Sequence, residues 1–228
     1  MKYTATAQQL SDLKALFSNM VTPYQRRWFE AGRVHRVRSY TKHRQVGADW
    51  FFALEGLIDA LETGRNQHYF AGTRRQSQDY SRRYIYHFAS QVGIHIAPDS
   101  NDITFANGAT ITFNGSRDLF LSGKCGNAYL SEYAWVDHPV TLFRVVQGVS
   151  MHKRHRLTLY TSVSPNPEGF AVWQRSQSLG FSQVHTLEDS VQHGGMWDAP
   201  LMDEIKRECS PEEFRQLYMC EWPQEAAQ

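Results

Sequence analysis

Cysteine is scarce, and Cys125, Cys209 and Cys220 sit at irregular intervals. They make neither a metal-binding repeat nor a disulfide framework, which is the usage expected of a chain in a reducing compartment. No apolar run approaches the length needed to cross a bilayer. Residues 1–20 are polar and mixed, without the apolar stretch of a secretory leader. Excess charge is missing as well: 24 Lys and Arg stand against 23 Asp and Glu, so composition gives no global reason to expect a nucleic-acid partner. Internal repeats and low-complexity linkers are absent. The expectation is a soluble intracellular protein, and 228 residues suffice for one domain with a sizeable core and an appendage.

What is present is local. Cations gather in three groups: Arg26, Arg27, Arg33, Arg36 and Arg38; Arg74, Arg75, Arg82 and Arg83; Lys153, Arg154 and Arg156. Such groups can build a basic face that a balanced total hides, although solvated helix surfaces would look the same. The ten histidines offer no ligand pattern. His152 and His155 lie among cations, and His185 and His193 lack Cys or carboxylate partners at a recognisable spacing, so surface or core roles are expected.

The apolar pattern alternates between two periods. A short helix over 7–18 precedes a basic strand at 33–40. Apolar residues from Trp50 to Leu61 recur at helical spacing and Gly64 closes that helix. A buried strand follows at 67–72, and a helix over 74–92 would put Tyr80, Tyr84, Ile85 and Phe88 on one face. Asn107-Gly108 between alternating runs marks a hairpin over 102–116. Strands at 127–136 and 156–165, helices at 139–149 and from Phe170, and a strand from Phe181 come next. Two C-terminal helices, near 199–207 and 211–218, complete the chain, the second opened by Ser210-Pro211 with Glu213. Strands alternating with helices predict an α/β sheet with helices on both faces.

Residues 41–50, "TKHRQVGADW", then fall between the first strand and its helix, where a phosphate-binding loop would sit. Against the pattern G-x-x-x-x-G-K-[ST], Lys42 takes the first Gly position, Ala48 the Lys position and Asp49 the Ser/Thr position. A helix N-terminus attracts phosphate through its dipole and free N–H groups, and Gly47 lets the backbone approach an anion. The competing reading is an ordinary helix start with Asp49 as its cap. Upstream, Tyr24 beside Gln25 offers an aromatic face and an amide suited to an adenine edge. Downstream, one apolar strand delivers Glu132 to its end, and the next delivers Thr161 and Ser162.

Taken together, "PYQ" (23–25), "KHRQVGAD" (42–49), "FNGSRDLFLSGKCGNAYLSEYAWV" (113–136), "LYTSVSP" (159–165) and "SPEEFRQLYMCEW" (210–222) resemble the ATPase domain of the large terminase subunit, the DNA-packaging motor of tailed phages. The likeness is greatest to the subfamily whose loop reads K-x-R-Q-x-G-A-T. It implies a P-loop, mostly parallel sheet over 1–195, with a small helical segment over 196–228 leading toward a nuclease domain. It also implies ATP with Mg²⁺ as ligands, and double-stranded DNA, portal and small terminase subunit as partners. A ring of copies in the bacterial host cytoplasm, with no membrane association, completes that expectation. By position, Tyr24 and Gln25 would hold the base, and Lys42, His43, Arg44, Gln45, Val46, Gly47, Ala48 and Asp49 would cradle the phosphates. Arg44 would neutralise transition-state charge, Glu132 would activate water, and Thr161 and Ser162 would couple hydrolysis to movement. Arg117 is a candidate finger toward a neighbouring subunit, with Arg74 and Arg75 as competitors.

Two departures from the subfamily concern one ion. The family places Thr or Ser where Asp49 stands, and Asp where Ser131 stands; both are Mg²⁺ ligands there. Either hydroxyl and carboxylate have exchanged places, making Asp49 and Ser131 the metal pair, or the site has decayed into a packaging interaction protein that binds portal, small terminase or capsid. The chain stops after Trp222 with "PQEAAQ", and no acidic cluster resembles a two-metal nuclease site, so DNA cleavage is expected to be absent.

Overall fold

A computed structural model describes residues 2–97, 100–116, 123–194 and 196–226. In chain order the elements are β1 (Lys2–Tyr3), α1 (Ala7–Met20), α2 (Pro23–Val34), β2 (Val37–Lys42), α3 (Ala48–Thr63) and β3 (Gln67–Ala71). Then come α4 (Arg74–Ser77), a π-turn (Gln78–Arg82), α5 (Arg83–Gln91), β4 (Ile103–Phe105), β5 (Thr110–Gly115) and β6 (Asn127–Ser131). The remainder is α6 (Pro139–Val149), β7 (Leu157–Thr161), α7 (Pro167–Gln177), β8 (Phe181–His185), α8 (Leu187–Gln192), α9 (Ala199–Glu208), α10 (Pro211–Leu217) and α11 (Pro223–Ala226). The strands form one sheet in the order β1-β4-β5-β3-β6-β7-β2-β8, parallel except at the β4–β5 hairpin.

The central strands are buried on both faces, so apolar residues follow one another in them without alternation, as Tyr69-Phe70-Ala71, Ala128-Tyr129-Leu130 and Leu159-Tyr160 do. Successive residues point to opposite sides: Tyr69 and Tyr129 join the core under α1, α3 and α5, while Phe70 and Leu130 join the core under α6 and α7. Helices on both faces are therefore observed, as the alternation predicts. Tyr40, Tyr160, Tyr129 and Tyr69 come from four adjacent strands and lie in the same apolar cluster as Phe52 of α3. Three of their hydroxyls grip that helix. Tyr69 donates to the Phe52 carbonyl at 2.9 Å, Tyr129 to Glu55 at 3.1 Å and Tyr160 to Asp49 at 2.8 Å. Gly56 makes room for this: a Cβ there would lie 2.0 Å from the Tyr69 hydroxyl. The first half of the helix that follows the loop is thus fixed by the sheet.

Several local expectations need correction. The segment 33–40 is not one strand, because a capping box of Thr22 and Gln25 with Pro23 at the first position starts α2, whose buried face carries it through Val34. The strand expected over 127–136 ends at Ser131; Glu132 is left-handed (φ 48°) and 133–135 form a 3-10 turn. In 74–92 the π-turn inserts a residue and rotates the helix face, so Ile85 and Phe88 are buried while Tyr80 is 37% exposed. Helix α8 has six residues, too few for a period to show in the sequence.

Arg38, expected on a solvated surface, is fully buried on β2 and forms a bidentate ion pair with Glu55 of α3. Burial opposes the guanidinium charge, yet the Glu55 carboxylate more than offsets it and holds Arg38 in the charged form. The same pairing keeps Glu55 below the usual carboxylate range in spite of its own burial. Glu55→Ala would leave a buried, uncompensated cation. We expect it to lower unfolding stability by roughly 3–5 kcal/mol, at about 2–4 °C of Tm per kcal/mol for a chain of this size. A loss under about 1 kcal/mol in urea melts would contradict that role.

Candidate functional site

Between β2 and α3 the chain makes its turn with two left-handed residues, Gln45 (φ 65°) and Gly47 (φ 71°). Gly47 is the N-cap of α3 and contributes no side-chain bond, so Asp49 is not the cap; it lies in the first turn of the helix. The loop's free N–H groups and the α3 dipole therefore face the same end of the sheet, where β6 and β7 also finish. A cleft of about 530 Å³ opens there. Lys42, Arg44 through Asp49, Glu132 and Ser162 line one side; Gln76, Tyr80, Arg83 and Tyr84 line another.

Five expected residues are bonded to one another here; Lys42, Asp49, Glu132 and Ser162 line the cleft, and Ser131 is buried against Asp49 outside the lining. The Lys42 ammonium is ion-paired with Glu132 Oε1. Glu132 Oε2 accepts from the Ser162 N–H at 2.9 Å and the Ser162 hydroxyl at 3.0 Å. Burial works against charge on Glu132, but Lys42 and the Ser162 donors hold it below the usual carboxylate range. Ser131 Oγ donates to Asp49 Oδ1 at 2.8 Å, and the Tyr160 hydroxyl donates to the same oxygen at 2.8 Å. Asp49 moves the opposite way. Burial and the nearby Glu132 charge raise its pKa, only partly countered by Lys42, Tyr160 and Ser131.

Thr161 Oγ1 accepts from the Ala134 N–H at 3.3 Å and donates to the Ser162 carbonyl at 2.9 Å, so the pair expected to couple hydrolysis to movement touches the Glu132 turn directly. Arg44 is exposed and stacks over Trp135 at 5.3 Å, and Trp135 Nε1 donates to Ser162 Oγ at 3.0 Å. Tyr24 and Gln25 are placed differently from the expectation. Both are buried and outside the cleft lining, and both donate to the Val46 carbonyl, at 2.9 and 3.1 Å. Gln25 Oε1 also accepts from the Thr22 N–H. In this arrangement they brace the back of the loop. Arg117 lies outside the described residues.

His43 carries a feature that sequence alone did not reveal. Its Nε2 lies 2.7 Å from Ser190 Oγ, and His185 Nε2 lies 2.8 Å from the same oxygen. One hydroxyl proton serves only one imidazole, so the other ring must donate to the oxygen. Burial lowers the pKa of both histidines, His43 to about 3 and His185 to about 4, and both stay neutral. The loop is thereby tied to α8. Residues 218–220 tie in as well, through Leu187 N–H to the Tyr218 carbonyl and Cys220 Sγ to the His185 carbonyl. No spacing in the sequence marks Ser190 or Tyr160, because their partners, His43 and Asp49, lie in a segment distant along the chain.

The residues of the site fit the ligands that the resemblance implies. Asp49 lines the cleft and the buried Ser131 hydroxyl bonds to it, hard oxygen donors of the kind suited to Mg²⁺, which is commonly held by one or two carboxylates together with substrate phosphates. Among the described residues no group of three His, Cys, Asp or Glu forms a metal cage of its own. Lys42, Arg44 and the loop N–H groups suit the phosphates. Among the described residues no helix is long and apolar enough to cross a membrane.

Comparison with known proteins agrees with the fold. The family described as "Terminase large subunit, T4likevirus-type, N-terminal" matches residues 40–228. The terminase ATPase subunit of Escherichia phage P2 is 26% identical over 250 aligned residues, which cover 96% of this chain and 42% of that protein. The probable terminase ATPase subunit of Haemophilus phage HP1 is 26% identical over 239, covering 92% and 39%. The chain thus spans about two fifths of the curated relatives it matches. Among solved structures, the large terminase of a thermophilic bacteriophage in complex with ADP superposes with a TM-score of 0.65 at 10% identity, covering 96% of this chain and 54% of that one. The Thermus phage P74-26 large terminase ATPase domain gives 0.61 at 13%, covering 91% and 96%. At such identities these structures establish the mostly parallel, helix-covered sheet and no more.

Proposed function

Since this chain belongs to the terminase large-subunit family of N-terminal domains, we propose that it is an ATPase motor domain that hydrolyses ATP to drive double-stranded DNA into a capsid. The observation that carries this is the convergence of Lys42, Asp49 and Glu132 at one cleft beside the loop, with the buried Ser131 hydroxyl bonded to Asp49. In support, the phage P2 relative is named a terminase ATPase subunit and the phage HP1 relative a probable one, and the thermophilic-phage terminase structure is a complex with ADP. The portal, the small terminase subunit and a ring of copies in a bacterial host cytoplasm are the partners and setting that go with this reading.

The chain's own residues divide the work. The loop N–H groups, Lys42 and Arg44 bind phosphate charge, and Asp49 with Ser131 would hold Mg²⁺. When bound, the metal supplies charge neutralisation across the phosphate oxygens. Glu132 takes the water proton at Oε1 once phosphates compete for the Lys42 ammonium that occupies it. Ser162 keeps Oε2 fixed meanwhile, so the carboxylate turns on one anchored oxygen. A decayed, non-catalytic adaptor is not favoured, because the exchanged carboxylate and hydroxyl remain in direct contact.

Calorimetry with ATP tests the proposal. Binding that requires Mg²⁺ supports it; no binding at millimolar ATP would overturn it.

A further inference from the structure

The end of the sheet opposite the nucleotide cleft carries a second, larger cleft of about 880 Å³. It lies where β2 and β7 begin, with its walls in residues 32–36, 153–156 and the second half of α3. Arg26, Arg33, Arg36, Lys153 and Arg154 are exposed in its lining. Among the described residues, none of the five has a carboxylate within ion-pair distance.

Most acids of the cleft are already committed. Glu55 is held by Arg38, Asp59 by Arg156 at 2.7 Å and Arg65 at 3.3 Å, and Glu62 by Lys14. Of the acids in the lining, Glu30 alone is left to stand against these five cations. Three of the cations are anchored: Arg36 donates to the Ser150 carbonyl, Arg26 to the Ser18 carbonyl and Arg154 to His155 Nε2. Guanidinium groups held in this way lose little freedom on meeting phosphate, which they bind as planar forks.

We propose that this cleft seats the phosphodiester backbone of duplex DNA, gripped without regard to base sequence; the proposal rests on the packaging reading and adds the contact surface. Unpaired cations spread over three chain segments fit a polymer of regularly spaced charge better than a single small anion. The location also supplies a mechanical link. Helix α3 runs from the nucleotide cleft, lined by Ala48 and Asp49, to the basic cleft, lined by Ile58, Asp59 and Thr63. That is about 24 Å of helix at 1.5 Å per residue. Strand β2 likewise runs from Val37, the residue after Arg36, to Lys42, so nucleotide and DNA would act on opposite ends of the same two elements.

The test is fluorescence anisotropy of the whole chain with a labelled mixed-sequence duplex, titrated at several salt concentrations, beside R33E/K153E. These two side chains make no side-chain hydrogen bond or ion pair among the described residues, which favours a folded variant; circular dichroism checks this. The expected result is at least about a tenfold loss of affinity, with the log–log salt slope flattened by roughly 2 and ATP affinity unchanged. Undiminished duplex binding by the variant overturns the proposal. So does wild-type protein that binds ATP but no duplex, which leaves the nucleotide reading intact. Polyglutamate captured in place of duplex, with the same sensitivity to R33E/K153E, also overturns it and assigns the cleft to an acidic protein. Duplex binding that needs Arg33 and Lys153 in a chain that ignores ATP supports the cleft while overturning the motor.

Discussion

Glu132→Gln should reduce ATP turnover by roughly 10³-fold, within the range for removing a positioned general base, while Mg²⁺–ATP still binds. The variant keeps the size of the side chain at a left-handed position, so the 133–135 turn need not move. What it loses is specific. Glu132 accepts from Lys42 on one oxygen and from Ser162 on the other, and an amide has only one acceptor to offer. If that oxygen stays on Ser162, Lys42 faces an NH₂ group and is released toward phosphate, so affinity should hold or improve. The free variant should also melt several degrees lower, because the buried Lys42 has lost its acceptor. Single-turnover hydrolysis, with nucleotide affinity measured in parallel, separates the outcomes. Turnover within about tenfold of wild type would remove Glu132 from the chemistry. A collapse of affinity together with turnover would make it a structural partner of Lys42 instead.

The parts of this site legible in the sequence were those carried by local order. The loop between β2 and α3, the delivery of Glu132 by one strand and the placement of Thr161 and Ser162 by the next all follow from strand–helix alternation, and the structure has each at that position. Contacts between distant segments stayed hidden. Tyr160 reads as one more aromatic of a buried strand, yet its hydroxyl reaches Asp49 across the sheet. Tyr24 and Gln25 look like a base-binding pair in one dimension, but the capping box that starts α2 turns them against Val46. Arg38 sits in a basic run that suggests a solvated strand, and only the Glu55 carboxylate on α3 explains its burial. In each case the sequence states the residue type, and its partner is set by topology.

Asp49→Asn is expected to separate the metal from the nucleotide. The exchange reading assigns Mg²⁺ to Asp49 and Ser131, so losing the carboxylate should weaken Mg²⁺–ATP about tenfold or more, near 1.4 kcal/mol. ATP without metal should bind no worse, because one negative charge beside the phosphates is gone. Asparagine keeps an oxygen that can accept from Ser131 and Tyr160, so the packing of α3 is preserved. Stability should move the other way from function. Burial first, and Glu132 second, raise the Asp49 pKa in the folded chain above its unfolded value. The stability that goes with a protonated Asp49 is complete below the unfolded pKa and is lost as pH rises through the raised one. At neutral pH the ligand-free wild type therefore carries a cost that the variant lacks. Asp49→Asn should melt higher, by a margin that grows from acid to neutral pH and shrinks when Mg²⁺–ATP is added to both proteins. Calorimetry with and without Mg²⁺ and melts across pH read both halves. Equal weakening with and without metal would sink the exchange reading. The double variant D49S/S131D returns each group to the family's position, and on this reading it should restore the metal-dependent binding that D49S alone loses.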